Sequence, residues 1–435
     1  MKFGSVPAAS PSAASVEAPP ARAVAILGST GSIGTQALDV VEHCAALRAE
    51  DGPDATPELT VTALAAGAGN LPLLAAQAAR HRPGVVATSG TADDAERLRT
   101  LIAAEVGAGT GAAYAPVILH GPEAAAAVAA EAPGDTVLNG ITGSIGLAPT
   151  LAALNAGKRL ALANKESLIA GGRLVQEAVA ASPLEQPLIP VDSEHSALAQ
   201  ALASGADREV SRLVVTASGG PFRGRGREEL RDVTPREALA HPTWDMGLVV
   251  TTNSATMVNK ALEVLEAHLL FGVDLDRIVV AVHPQSMVHS LVEFVDGSTI
   301  AQVSPPDMRL PIALGLTWPH RVAGIASGCA WDAPQDWTFE PLDEEAFPAV
   351  RMLKEAARAG GTGPAVFNAA NEQAVAAFHA GTIRFTEIVE TVGAVLAEHP
   401  GSGAHTPDED LSVEAVLRAE RWARERTDEL LGVRA

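Results

Sequence analysis

Cysteine is nearly missing from this chain: Cys44 and Cys329 are the only two in 435 residues. That excludes a disulfide framework and a cysteine-rich zinc site, and it fits a reducing cytoplasm. An excess of basic residues is missing as well. The formal net charge is −21 and the sequence pI is near 4.9, which argues against non-specific binding to DNA, RNA or acidic membranes. An anionic small substrate stays open, because a few Lys and Arg can converge locally. Long apolar runs are lacking too. Residues 60–79 and 137–157 avoid charge but are broken by Gly, Asn and Pro, so neither reads as a membrane span. The first twenty residues are rich in Pro, Ala and Ser without a continuous apolar segment; they read as a disordered tail, not a signal peptide. No repeat of solenoid period is evident.

What is present is apolar bulk, 47% of the chain, enough for a large core and too long for one ordinary domain. Short apolar runs at 23–27, 59–67, 84–90 and 136–140 read as strands. The run 35–47 has helical spacing, and Ala-rich helical segments separate the later strands. This alternation predicts a parallel sheet with helices on both faces, a Rossmann-like α/β pattern over roughly 21–165. We expect a tail over 1–20, the Rossmann-like domain over 21–190 and an α+β domain with a mixed sheet over 191–317. A linker over 318–343 and a C-terminal α-helical bundle over 344–435 complete the expected order.

Gly28-x-x-Gly31-x-x-Gly34 lies between the first strand and the first helix. Glycines there let a backbone turn and approach a pyrophosphate at a helix N-terminus, though a plain tight turn has the same spacing. The second strand ends in "AAGAGN" without the acidic residue of an NAD site, which leans toward NADP. In "PVDSEHSA", Asp192 and Glu194 follow a strand-like "LIPV" two residues apart. If the strand continues, they face one side and suit Mg²⁺ or Mn²⁺; a solvated acidic loop is the other reading. "NSATMVNKALEVLEAHLLFG" reads as one helix capped by Asn253 or Ser254, with Asn259, Lys260 and Glu263 on one flank. A helix N-terminus, a serine, an Asn and a Lys suit a phosphate monoester, and Glu263 can add a third carboxylate to a metal. A surface Lys–Glu pair has the same spacing. Ser218 with Gly219 and Gly220 after a strand forms another anion nest. "HPTWDMG" is a polar–aromatic loop, and "ALANKES" puts Lys165 and Glu166 at a strand end.

These motifs, with "HPQSMVHSLVEFVDGS", "PPDMRLPIAL" and "NAANEQAVAAF", resemble the 1-deoxy-D-xylulose 5-phosphate reductoisomerase family over about 22–430. The resemblance implies an NADPH-binding domain, a catalytic domain and a helical bundle, assembled as a homodimer. It implies Asp192, Glu194 and Glu263 on Mn²⁺ or Mg²⁺. Ser218, Ser254, Asn259 and Lys260, with His241 nearby, fall on the substrate phosphate, Ser193 on the substrate backbone, and Lys165 within reach of it. Cofactor contacts fall on Thr30, Gly31, Ser32 and Ile33, on Gly67 and Asn70, on Asn164 and Glu166, and on Met246 and Gly247. "HPTWDMG" becomes a flap with Trp244 over the substrate.

The implied reaction is a retro-aldol rearrangement of a ketose phosphate followed by NADPH reduction to 2-C-methyl-D-erythritol 4-phosphate. Lys165, His241, Glu194 and metal-bound water all qualify for moving protons. Two segments depart from the family pattern: Ala68-Gly69 stand where Lys is common, and Asp245 where the flap commonly has Ser. The residues also admit another NADP-dependent oxidoreductase of phosphorylated substrates, or a non-catalytic NADP-binding protein. Retention of all three carboxylates favours the enzyme.

Overall fold

The computed structural model describes residues 21–107, 114–244 and 247–432. The tail 1–20, Asp245 and Met246 of the flap motif lie outside the described residues. The first part alternates as expected: β1 (Arg22–Leu27), α1 (Ser32–Asp51), β2 (Leu59–Ala66), α2 (Leu71–His81), β3 (Val85–Thr88) and α3 (Ala92–Gly107). It continues with β4 (Val117–His120), α4 (Ala124–Glu131), β5 (Thr136–Asn139), α5 (Leu147–Asn155), β6 (Arg159–Leu162), α6 (Lys165–Ala181) and β7 (Leu188–Pro190). Seven parallel strands stand in the order β4-β3-β2-β1-β5-β6-β7. In β1, Val24 and Ile26 join the apolar core beneath α1, α2 and α3, whereas Ala25 and Leu27 join the one beneath α4, α5 and α6. The period-2 pleat thus buries both faces, which is why the strands read as continuous apolar runs.

The second part runs α7 (Ser193–Leu202), β8 (Val210–Ala217), α8 (Arg227–Leu230), α9 (Pro235–Ala238), α10 (Leu248–Ala255), α11 (Val258–Phe271), β9 (Ile278–Val282), β10 (Val288–Phe294), β11 (Thr299–Val303) and α12 (Arg309–Thr317). With β12 (Glu340–Pro341) these strands make a mixed sheet, β11-β10-β8-β9-β12, in which only β8 and β9 run parallel. Helices α13 (Ala349–Ala359), α14 (Gly363–His379), α15 (Phe385–Glu398) and α16 (Val413–Leu431) follow. They share a core with α11 and the second sheet. α12 reaches back to the first sheet: Ile312, Ala313 and Leu316 are buried in the α1 face, as are Val322 and Ile325 of the following irregular stretch.

Two local expectations are corrected. Asp192 and Glu194 are not on a continuing strand. β7 stops at Pro190, Asp192 precedes α7, and Glu194 is in its first turn, so a helix start brings the carboxylates together. Nor is 253–272 one helix capped by Asn253 or Ser254. Both residues end α10, and the break falls at Met257, whose φ of +61° is left-handed and buried. The continuous apolar stripe concealed this elbow, because Met257 stays in the core while the backbone turns.

Candidate active site

β1 ends at Leu27, and the chain turns at Gly28 with φ +79°. A Cβ at Gly28 would lie 2.6 Å from the Gly140 carbonyl oxygen, and one at Gly34 only 2.3 Å from that of Gly28. These two glycines let β1, β5 and α1 approach closely. Gly31 differs: it caps α1 in an ordinary extended conformation, and among the described residues its Cβ would meet only the Gly28 oxygen, at 3.3 Å. No side chain caps that helix end, which leaves backbone N–H groups and the positive end of the helix dipole for an anion.

Gly31, Ser32 and Ile33 line one end of a cavity of about 730 Å³. Asn164, Lys165 and Glu166 after β6 and Asp192, Ser193 and Glu194 after β7 line it as well, as do Ser218, His241, Trp244, Gly247, Ser254, Asn259, Lys260 and Glu263. Thr30, Gly67 and Asn70 are not part of its wall. Gly67 and Asn70 lie beyond the end of β2, and the Asn70 side chain accepts the Leu73 amide as the cap of α2. Met246 and Asp245 are outside the described residues. The cavity wall also holds groups without a sequence assignment: His283, Ser286 and His289, the 306–308 stretch, Gln36 and the Gly140–Thr142 loop.

Carboxylate oxygens of Asp192, Glu194 and Glu263 lie within 4.8 Å of one another. Lys165 Nζ is 3.2 Å from Asp192 and 2.8 Å from Glu263, and Lys260 Nζ is 2.8 Å from Glu194 and also pairs with Glu263. Asn259 accepts from Lys165 at 3.1 Å and donates to Glu263 at 2.5 Å. Burial alone would neutralise both lysines, but the carboxylates beside them raise their pKa values, Lys165's well above its usual range. Burial likewise opposes ionisation of Asp192 and Glu194, and the lysines outweigh it and lower both. Glu263 is raised by burial and by Glu194. Below this layer, fully buried His195 faces Asp192 at 3.1 Å and Glu266 at 3.2 Å through Nδ1, while Nε2 donates to the Glu263 carbonyl at 2.8 Å.

The carboxylates offer hard oxygen donors, and Asp192 Oδ2 lies between two nitrogens, Lys165 Nζ at 3.2 Å and His195 Nδ1 at 3.1 Å. Four carboxylates here meet two lysines and one histidine. The set therefore fits a divalent cation of the Mg²⁺ or Mn²⁺ type. The uncapped α1 end and the glycine cradle fit a pyrophosphate in the same way.

His241 shows a fixed tautomer. Its Nδ1 accepts the amides of Thr243 and Trp244 at 3.1 and 2.9 Å, so the proton sits on Nε2 and is donated to Ser218 Oγ at 3.0 Å. Burial lowers its pKa, in keeping with the neutral ring. Ser218 Oγ also accepts the Gly220 amide at 3.3 Å, which leaves its own proton free for an anion in the cavity. The Trp244 ring meets the His289 ring edge-on at 6.3 Å.

Three family models match in sequence. That for 1-deoxy-D-xylulose 5-phosphate reductoisomerase covers 24–172, its C-terminal domain 188–271, and the DXP reductoisomerase C-terminal domain 303–426. The reductoisomerase of Arthrobacter sp. (strain FB24) is 61% identical over 95% of this chain and 98% of its own length. The chain belongs to the 1-deoxy-D-xylulose 5-phosphate reductoisomerase family. The family's enzyme from Kitasatospora griseola is 58% identical over 93% of this chain and 99% of its own length. Among solved members, the Zymomonas mobilis enzyme in complex with NADPH is 37% identical, with a TM-score of 0.81 over 94% of this chain and 99% of that one. A reductoisomerase in complex with NADPH, fosmidomycin and magnesium is 32% identical, with a TM-score of 0.84 over 95% and 98% of the two chains.

The residues that sequence reading passed over sit in quoted motifs. His283, Ser286 and His289 all belong to "HPQSMVHS", and Met308 to "PPDMRL". Two histidines and a serine packed into a short stretch after a β-rich run were the available signal.

Proposed function

We infer that this protein converts 1-deoxy-D-xylulose 5-phosphate into 2-C-methyl-D-erythritol 4-phosphate, using NADPH and Mg²⁺ or Mn²⁺. One observation carries the reading: a single cavity runs from the glycine turn at the α1 N-terminus to the Asp192, Glu194 and Glu263 carboxylates. Bound NADPH supplies hydride, and a divalent ion held by those three carboxylates polarises the substrate's oxygens. The side chains supply grip, orientation and exclusion of water. Ser218, its hydroxyl oriented by His241, takes the substrate phosphate with Ser254, Asn259 and Lys260. Ser193 and Lys165 address the substrate backbone. Lys165 Nζ, held by Asn259 and Glu263, brings positive charge to the substrate's oxygens. Glu194 stays ionised, and His241 carries its one proton on Nε2, directed at Ser218.

On the cofactor side, Thr30, Gly31, Ser32 and Ile33 take the pyrophosphate. Gly67 and Asn70 stand at the adenosine end, with Asn164, Glu166, Met246 and Gly247 at the nicotinamide end. Trp244 covers the substrate. The reading extends to a cytoplasmic homodimer. Strand β11 supports the dimer, since it forms an open edge of the second sheet with Thr299, Ile300 and Ala301 exposed. Cys44 and Cys329, both free thiols, suit a reducing compartment. Among the described residues no helix is long and apolar enough to cross a membrane.

The test is NADPH oxidation with deoxyxylulose 5-phosphate and Mn²⁺, with and without a chelator. Metal-dependent turnover is expected. A folded, NADPH-binding protein that leaves this substrate untouched would overturn the reading.

A further inference from the structure

His283 follows β9 directly, is fully buried and borders the cavity, and both of its ring nitrogens are committed. Nε2 accepts the amides of Met287 and Val288, each at 3.1 Å. The proton therefore sits on Nδ1, which donates to the Thr338 carbonyl at 2.9 Å. The ring lies flat on Phe339, with centroids 4.6 Å apart and planes 12° from parallel. Gln285 ties the same stretch again: it donates to Thr338 Oγ1 at 3.1 Å and accepts the Thr338 amide at 3.3 Å. Between these ties the chain passes through Ser286 at φ +52°, a left-handed conformation that persists in a non-glycine residue only where its surroundings enforce it. Thr338 and Phe339 are themselves exposed and do not line the cavity.

We propose that Thr338 and Phe339, in the irregular stretch leading to β12, are positioning residues that act through His283. They hold the 283–288 turn so that Ser286 and His289 face the substrate. The stacked ring and the Thr338 carbonyl fix the imidazole, the imidazole fixes two amides, and those amides fix the strained turn.

The test compares full-length wild type with Phe339→Ala and Phe339→Tyr by amide hydrogen exchange across 283–290 and by steady-state kinetics. The Ala variant should exchange faster at Met287 and Val288. Its KM for deoxyxylulose 5-phosphate should rise about tenfold, because the turn no longer presents its side chains in register. Its kcat, melting temperature and NADPH affinity should change little, and Tyr should restore the wild-type values. Unchanged exchange, an unchanged KM, failure of Tyr to rescue, or a uniform loss with a lower melting temperature would each overturn the proposal. The kinetic arm rests on the function proposed above. Wild-type inactivity on this substrate would count against that function alone, and the exchange arm would still decide the coupling.

Discussion

Gly31 offers the sharpest separation between a phosphate cradle and a mere tight turn. Its φ of −80° and ψ of 174° suit alanine, and among the described residues the added Cβ would meet one non-neighbouring atom within 4 Å, the Gly28 oxygen at 3.3 Å. Gly31→Ala should therefore cost less than about 1 kcal/mol of folding stability. The rest of the methyl group's surroundings is the cavity that Gly31 lines. A phosphate seated on the first amides of α1 would be pushed outward, and NADPH affinity should fall about 10- to 100-fold, roughly 1.4–2.7 kcal/mol. Gly34→Ala is the contrasting case. Its Cβ would sit 2.3 Å from the Gly28 oxygen and 2.4 Å from the Ser29 Cα, both backbone. Strand and helix must separate, which costs about 1–3 kcal/mol or more in the absence of any ligand. The assay is a fluorescence titration with NADPH beside thermal unfolding of the two variants. Wild-type NADPH affinity in a stable Gly31→Ala protein would refute the cradle. Equal destabilisation by both substitutions would refute the geometric reasoning.

Three further outcomes follow from buried polar groups. Glu263→Gln keeps the side-chain shape but removes a charge that pairs with Lys165 and Lys260; Mn²⁺ affinity by calorimetry should fall at least about 100-fold, and unchanged affinity would exclude Glu263 as a ligand. Asn371→Ala strips the buried donor from Asn253 Oδ1, at 2.9 Å, and should lower unfolding free energy by about 1–3 kcal/mol in denaturant titrations; a neutral result would mean the bond is dispensable. His399, buried beneath Thr362 and His405, has its pKa lowered to about 4, first by burial and then by His405. The unfolded chain binds this proton first, at its ordinary value near 6.5, so stability is complete above that pH and declines as pH falls toward 4, by roughly 2–3 kcal/mol. His399→Gln should flatten that limb of the stability–pH curve, and an unchanged slope would locate it elsewhere.

The alternation of apolar runs and Ala-rich helices made the first sheet legible, because strands buried on both faces carry an unmistakable apolar signature. The short helices α8 and α9 and the two-residue strand β12 were not legible, since elements of that length carry no period. The carboxylate cluster was readable in composition but not in geometry. Asp192 and Glu194 look like alternating strand residues because a two-residue spacing is all that a sequence displays. What turns them toward Glu263 is the end of β7 at Pro190 and the start of α7 at Ser193. The Met257 elbow was hidden for a related reason: an apolar stripe reports which residues are buried, not whether the backbone between them runs straight.

Lys165 and Lys260 show most clearly where one-dimensional reading ends. Spacing suggests a Lys260–Glu263 surface pair, the usual meaning of such charges on a helix, yet both side chains are nearly fully buried and the pair is shared with Glu194 and Lys165. Exposed, such a contact would contribute about 0.3–0.5 kcal/mol. Buried among four carboxylates, removal of either lysine would leave uncompensated charge at a cost of about 3–5 kcal/mol. A cluster that costly to hold together adds little to folding, so its retention is better explained by a cation and an anionic substrate than by stability. The distinction between those two explanations rests on which residues meet from β6, β7, β8 and α11, and only the fold brings those four elements to one place.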